Sequence, residues 1–373
     1  MNDTPVPQSA LQEILDEYVE KGIPGVSVAI GNEKGVIWTG TSGYSHLQTK
    51  TPVDEAHVFG IGSITKVFVA VVILQLSEEG KLDLNATAPE ILGDDVLKGI
   101  PNTDIATISH MLNHTSGIPS WEDDPKWIAE GRGRDLNVNH IWGKAETLDY
   151  VRGPQHKAVN KPGESFSYAN TNHTILGLVI EHITKNDVMA EIRQRIYEPL
   201  HLDTIYLGGF EPADEKTVPH RYHHATEDFI ENAGVAEPFE NIRPGLIDAT
   251  GSNLSVEWVA GGMLSNPKDL VRFATALKNG ELLNEDSMAF MKSWTNTGWG
   301  ETQVGHGIFK SKSGDFTLFG HGGNVLGFTS DMGWHEESGT VMIISTNVGS
   351  MHSGDSDNYS NASSFFDDGP EFV

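Results

Sequence analysis

The chain has no cysteine in 373 residues, which excludes disulfides, cysteine-ligated metals and thiol catalysis while leaving the compartment open. No stretch approaches ~18 consecutive apolar residues, so no membrane span is expected. The opening Met1-Asn2-Asp3-Thr4 lacks both a basic segment and an apolar run, so the expectation is a chain without a secretory leader and a cytoplasmic location. Positive charge is scarce: 25 Lys and Arg stand against 52 Asp and Glu, a formal net charge of −27. That balance argues against nucleic acid or an anionic membrane as partner, because both are polyanions. Gly-x-Ser-x-Gly occurs nowhere, which disfavours an α/β-hydrolase.

What is present is enough apolar residue, 38%, to bury a large core, in a chain longer than one core usually serves. Two interleaved lobes are expected. Leu11 to Tyr18 reads as an amphipathic helix stopped by Gly22 and Pro24, and Val26 to Ile30 with Val36 to Thr41 as a hairpin turned by Asn32-Glu33-Lys34-Gly35. Strand patterns return at Ile308 to Lys310, Phe316 to Phe319, Phe328 to Gly333 and Val341 to Ser345, after a helical Leu270 to Leu277. The expected fold class is mixed α and β. A sheet-containing lobe comes from residues 1–82 and 255–347, a mostly helical, loop-rich lobe from 83–254, and 348–373 is an acidic polar tail, mobile except where Phe365 and Phe366 anchor a short helix.

Three short motifs in order carry the chemistry: Ser63-Ile64-Thr65-Lys66, Tyr168-Ala169-Asn170 and His321-Gly322-Gly323. Ser63 opens the run Val67 to Leu76, apolar nearly all round and so expected as a buried helix. Unpaired backbone N–H groups and the helix dipole at such an N-terminus favour a developing alkoxide. Lys66 falls one turn on, on the same face, where desolvation would lower its pKa towards that of a working base. The plainer reading is a capping serine and a lysine reaching solvent. Tyr168 follows the turn Lys161-Pro162-Gly163 and precedes the helical run Ile175 to Ile183, a place from which a phenol can relay a proton and Asn170 can donate and accept. A structural tyrosine and a helix-capping asparagine are the alternative. Gly322 and Gly323 on a strand let a substrate backbone approach as an added strand, unless they mark only a hairpin or bulge.

The sequence also holds decoys. Ser265-Asn266-Pro267-Lys268 repeats Ser-x-x-Lys, but Ser265 before Pro267 and an apolar-periodic run reads as a helix cap. Tyr359-Ser360-Asn361 repeats Tyr-x-Asn within the polar tail. His220-Arg221-Tyr222-His223-His224 is the densest histidine cluster among 16 histidines; it lacks a third ligand at a diagnostic spacing, reads as a surface turn, and no metal is assigned.

Taken together the motifs resemble the penicillin-recognising serine hydrolases: class C β-lactamases, serine DD-peptidases, D-aminopeptidases and related esterases. Ile108 to Pro119 and Gly261-Gly262-Met263-Leu264-Ser265 look like that superfamily too, so the resemblance spans roughly residues 10 to 347. It implies a β-lactamase/transpeptidase-like fold, a mainly antiparallel sheet flanked by helices plus an inserted helical lobe, with the site in the cleft. It also implies Ser63 as nucleophile, Lys66 as base or proton shuttle, Tyr168 as partner in the relay, and Asn170 against the acyl-side amide. The oxyanion hole would be the backbone N–H groups of Ser63 and Asn324. Where class C enzymes usually place Lys-Thr-Gly, this chain has His321, mostly neutral at pH 7, as in the His-x-Gly of the family's peptidases. His321 therefore weakens the case for efficient β-lactam turnover.

The expected function is a cofactor-independent serine hydrolase that cleaves amides of small peptides or amino acids through an acyl-enzyme, with a D-residue at the cleavage site. An esterase of the same family and a catalytically silent sensor or scaffold are the alternatives. The expected partner is a small-molecule or short-peptide substrate; the oligomeric state is left open.

Overall fold

A computed structural model of the chain describes residues 8–214, 216–313, 316–355 and 358–367. Met1 to Thr4, on which the absence of a leader was read, lies outside the described residues. The amphipathic N-terminal stretch forms a helix over Gln8–Glu20 with Leu11, Leu15 and Tyr18 inward. The hairpin follows as Gly25–Asn32 and Gly35–His46, with a register shift at Ile30/Gly31.

The chain's two ends meet in one nine-stranded sheet. Its order is Thr295–Asn296, Gln303–Val304, Phe309–Ser313, Phe316–Val325, Phe328–His335, Val341–Thr346, Gly25–Asn32, Gly35–His46 and Thr51–Pro52, with antiparallel neighbours throughout. Val26 pairs with Thr346, which closes the sheet between residues from opposite ends of the sequence. Period-2 alternation assigns the faces. Met342 and Ile344 join Leu11, Leu15 and Val28 under the N-terminal helix, while Val341 and Ile343 face the main core with Val271 and Phe273 of the Pro267–Lys278 helix. A strand covered on both faces is apolar at successive positions, as Val341 to Ile344 is.

The run after Ser63 is a helix over Thr65–Glu78, buried from Thr65 to Leu74. It packs against the Asn170–Thr184 helix in the largest core cluster. Among the described residues no helix is long and apolar enough to cross a membrane.

Two expectations are corrected. Within the segment 83–254, which carries most of the short helices, Tyr222–His224, Leu246–Asp248 and Glu240–Arg243 also form a second sheet. From Tyr222 to His224 the histidine cluster is therefore a strand and not a surface turn, with Tyr222 and His223 buried, while His220 and Arg221 lead into it. Its rings have other partners: His220 the Asp248 carboxylate at 2.8 Å, His223 the Met351 carbonyl at 3.0 Å, and His224 the Ser360 carbonyl at 3.2 Å. Nor does the chain peel away after residue 348. Val348–Gly349 pairs in parallel with Tyr222 and His223, and Phe365 of the Ser364–Asp367 helix stacks on Tyr18 with ring centroids 3.9 Å apart. A few apolar residues spaced through a polar segment were enough to dock it. The side chain of Phe366 lies outside the described residues.

Candidate active site

Two glycines set the site's geometry. Phe59–Gly60 pairs with Met263–Ser265, and the chain then turns through Gly62–Ile64 into the buried helix. Gly62 has φ +52°, and a Cβ there would stand 2.6 Å from the Asn324 nitrogen. A Cβ on Gly323 would stand 1.9 Å from the Ile61 carbonyl oxygen. Only residues without side chains let the Ser63 turn and the His321-Gly322-Gly323 strand touch. The strand also offers an edge. Phe309 pairs with Gly320, and beyond that point His321 to Val325 pairs with Met332 to Phe328 on one side only. Backbone groups facing the cleft are thereby left for a ligand.

Lys66 is fully buried, and its ammonium Nζ donates to Ser63 Oγ at 2.9 Å and to the Ala260 carbonyl. Burial pushes its pKa down from 10.5 to about 8, and the Glu122 and Glu257 carboxylates oppose the fall. A lysine so placed can hold or accept the serine proton near neutral pH. Its Nζ also lies 5.1 Å from the Tyr168 ring centroid.

Tyr168 is held from behind. Its ring stacks on His114 at 4.2 Å; the His114 carbonyl accepts from Ser167 N at 2.8 Å and His114 Nδ1 from Ala169 N at 3.1 Å, so both neighbours of Tyr168 are fixed by one residue. The phenol oxygen is buried, and among the described residues no atom meets it in full hydrogen-bond geometry. Burial pushes its pKa well up, and the nearby Ser63 hydroxyl pulls it partly back. Asn170 begins the Asn170–Thr184 helix, but its side chain does not cap it: Nδ2 donates to Glu122 Oε2.

Glu122 is the residue that sequence reasoning missed. It lies half-buried on the cleft wall, as part of a group in which Arg132 bonds Glu257 and stands 3.8 Å from Glu122 Oε1. Burial first, then the Glu257 charge, raise the Glu122 pKa, against the pull of Arg132 and Lys66. No motif marks it: Glu122 lies in a short turn over Trp121–Asp123 and meets Asn170 only through the fold. Another part of the lining, also unmarked, is aromatic: Trp299 and Phe309, with Phe166 packed edge-on against Trp299 and Phe309 5.0 Å from His321. The cleft holds about 720 Å³.

Of the expected residues, Ser63, Tyr168, His321, Gly322, Gly323 and Asn324 line this cleft, with Lys66 and Asn170 directly behind it. His321 is buried, and burial assisted by the Lys66 charge pushes its pKa down to about 3, so it is neutral. The Asn324 side chain points elsewhere, onto Ser350. The decoys stay outside: Ser265 is buried in a strand, and the cap of the following helix is Asn266, one residue beyond the serine expected. Tyr359 bonds the Gly354 carbonyl and stacks on His224.

A large antiparallel sheet with helices on its faces and a Ser-x-x-Lys turn in the cleft defines the class, and comparison with known proteins agrees. The family described as Beta-lactamase matches residues 11–364, and the chain belongs to it. Protein flp of Staphylococcus aureus strain N315 is 30% identical over 204 residues, 52% of this chain and 37% of that protein. The chain thus spans well under half of that relative's length. Among solved structures, the D-stereospecific amidohydrolase from Streptomyces sp. superposes with a TM-score of 0.78 at 26% identity, covering 92% of this chain and 95% of that one. The D-amino acid amidase from Ochrobactrum anthropi SV3, solved with D-phenylalanine, gives 0.79 at 28% identity, covering 92% of each chain.

Proposed function

We propose that the chain is a serine amidase or aminopeptidase that acts on small D-amino acid amides or short peptides with a free amine, through an acyl-enzyme on Ser63. In this reading Lys66, with its amine neutral, takes the Ser63 proton as Oγ attacks the carbonyl. The N–H groups of Ser63 and Asn324 hold the oxyanion. Tyr168 passes the proton to the leaving nitrogen, and water then releases the acid and restores Ser63. His321, Gly322 and Gly323 seat the substrate along the strand edge, with Asn170 at its acyl side.

The single observation that carries the choice of substrate is the charge of the cleft. Its wall presents the half-buried Glu122 carboxyl group, bonded by Asn170 and, with its pKa raised, ready to ionise against an approaching ammonium, and among the described residues that line it there is no Lys or Arg. A substrate ammonium completes that arrangement; a substrate carboxylate finds no fixed cation, since His321 is neutral. This favours an amide or aminopeptidase substrate over a carboxypeptidase one. The names of the two superposed structures point the same way.

The test is stereochemical. A substrate laid as an added strand has its side chain fixed to one side, so D-amino acid amides should be cleaved at least about tenfold faster than their L forms. Equal rates, with short-chain esters cleaved far better than any amide, would give the esterase alternative instead.

A further inference from the structure

We infer that the turn Ser350–His352, which no motif marks, is a clasp that fixes the oxyanion strand relative to the Glu122 wall, and that Ser350 is a positioning residue for Asn324. The inference rests on the acyl-enzyme reading above but not on its stereochemistry.

Ser350 brackets the Asn324 side chain from both ends. Its backbone N–H donates to Asn324 Oδ1 at 3.1 Å, and its Oγ accepts from Asn324 Nδ2 at 2.7 Å. The same Oγ accepts from Asn361 Nδ2 at 3.0 Å, and Ser350 and Asn361 are each 5% exposed. A half-buried amide bonded at both ends cannot rotate without breaking both bonds. The Asn324 backbone, whose nitrogen lies against Gly62, is held by its own side chain.

The residues on either side of Ser350 extend the clasp. Gly349 lies so close to the Val325–Gly327 turn that a Cβ on it would stand 2.3 Å from the Val325 carbonyl oxygen and 2.5 Å from the Gly327 nitrogen. Met351 lines the cleft, and its carbonyl meets His223 Nε2. His352, in a left-handed conformation with φ +61°, lays its ring against the Glu122 backbone carbonyl and edge-on to Trp127 at 6.4 Å. Three successive residues thus touch the oxyanion strand, the cleft and the acidic wall.

Removing the bracket should leave the serine in place and blur the hole. A displacement of about 1 Å in such a site costs on the order of 100-fold in rate, and a partial one less. With Ser350→Ala, kcat per acylatable site and the inactivation rate by a fluorophosphonate should fall about 10- to 100-fold, while KM changes less than about threefold. Affinity for a boronic acid that adds to Ser63 should fall with them, and affinity for the product amino acid should not. Ser350→Thr, which keeps the hydroxyl, should recover most of the rate. If Ser350→Ala does not fold, Asn361→Ala, which removes one bond to the same oxygen, should show the same pattern at smaller amplitude. A lowered Tm with unchanged kcat per acylatable site would overturn the inference, as would equal losses for boronic acid and product. A wild-type protein that no fluorophosphonate labels would instead sink the hydrolase reading itself.

Discussion

Ser63 and Ser265 each stand three residues before a lysine, and the two segments even touch, since Phe59–Gly60 on the approach to Ser63 pairs with Ser265 and Leu264. Yet they differ in every property that chemistry needs. Lys66 is 0% exposed and within 2.9 Å of the Ser63 hydroxyl, whereas Lys268 is 37% exposed and reaches away to Glu55 at 3.1 Å. Ser63 faces the cleft; Ser265 is buried in a strand and bonds the Asn266 carbonyl. The spacing is shared; what differs is the desolvation of the lysine, and on the proposed reading that desolvation is what makes one pair reactive and the other a helix start.

The largest expected effect breaks the comparison directly. Lys66→Ala should lower kcat/KM on any accepted amide or ester by on the order of a thousandfold, because a serine without a base is a weak nucleophile. Lys268→Ala should change it less than about twofold, since an exposed ion pair contributes little. Comparable losses for both would erase the distinction.

Next comes pH. The reactive form of Lys66 is the neutral amine, and its pKa lies at about 8. Activity should therefore be low in acid, rise through pH 8 as the amine loses its proton, and level off above about pH 9. Glu122, with its pKa raised, works in the same direction, because only its ionised form pairs with a substrate ammonium. Glu122→Gln with an N-acetylated substrate separates the two: the rise belonging to Lys66 should remain. A kcat/KM flat from pH 6 to pH 9 would remove the lysine from the base role.

A smaller effect sharpens the account of the wall. Glu122→Gln should lower kcat/KM for substrates with a free amine by about 10- to 200-fold, and barely affect their N-acetyl forms. An equal loss for both would make Glu122 structural.

The contrast between the two serines also shows how much was legible. The Thr65–Glu78 helix follows from its apolar run and the hairpin and later strands from their apolar patterns, which found their starts but ended the strands Gly35–His46 and Phe316–Val325 too early, at Thr41 and Phe319, where the apolar pattern gives way to Gly, Ser and His. Ser63, Lys66 and Tyr168 could be read because their context is local: a turn, then an apolar run. Glu122 could not. Its meaning depends on Asn170, 48 residues on, and on the Arg132–Glu257 pair, 125 residues apart. Ser350 was hidden for the same reason, within a segment whose polar composition resembled a tail. Burial created by chain-distant packing has no period to detect.

The most direct test of the central claim is covalent labelling. The protein is incubated with a fluorophosphonate or a penicillin, and the adduct is located by intact mass and peptide mapping. One adduct per chain on Ser63, lost in Ser63→Ala and retained in Ser265→Ala, is the result this account predicts; an adduct on Ser265, or none with any acylating probe, would contradict it.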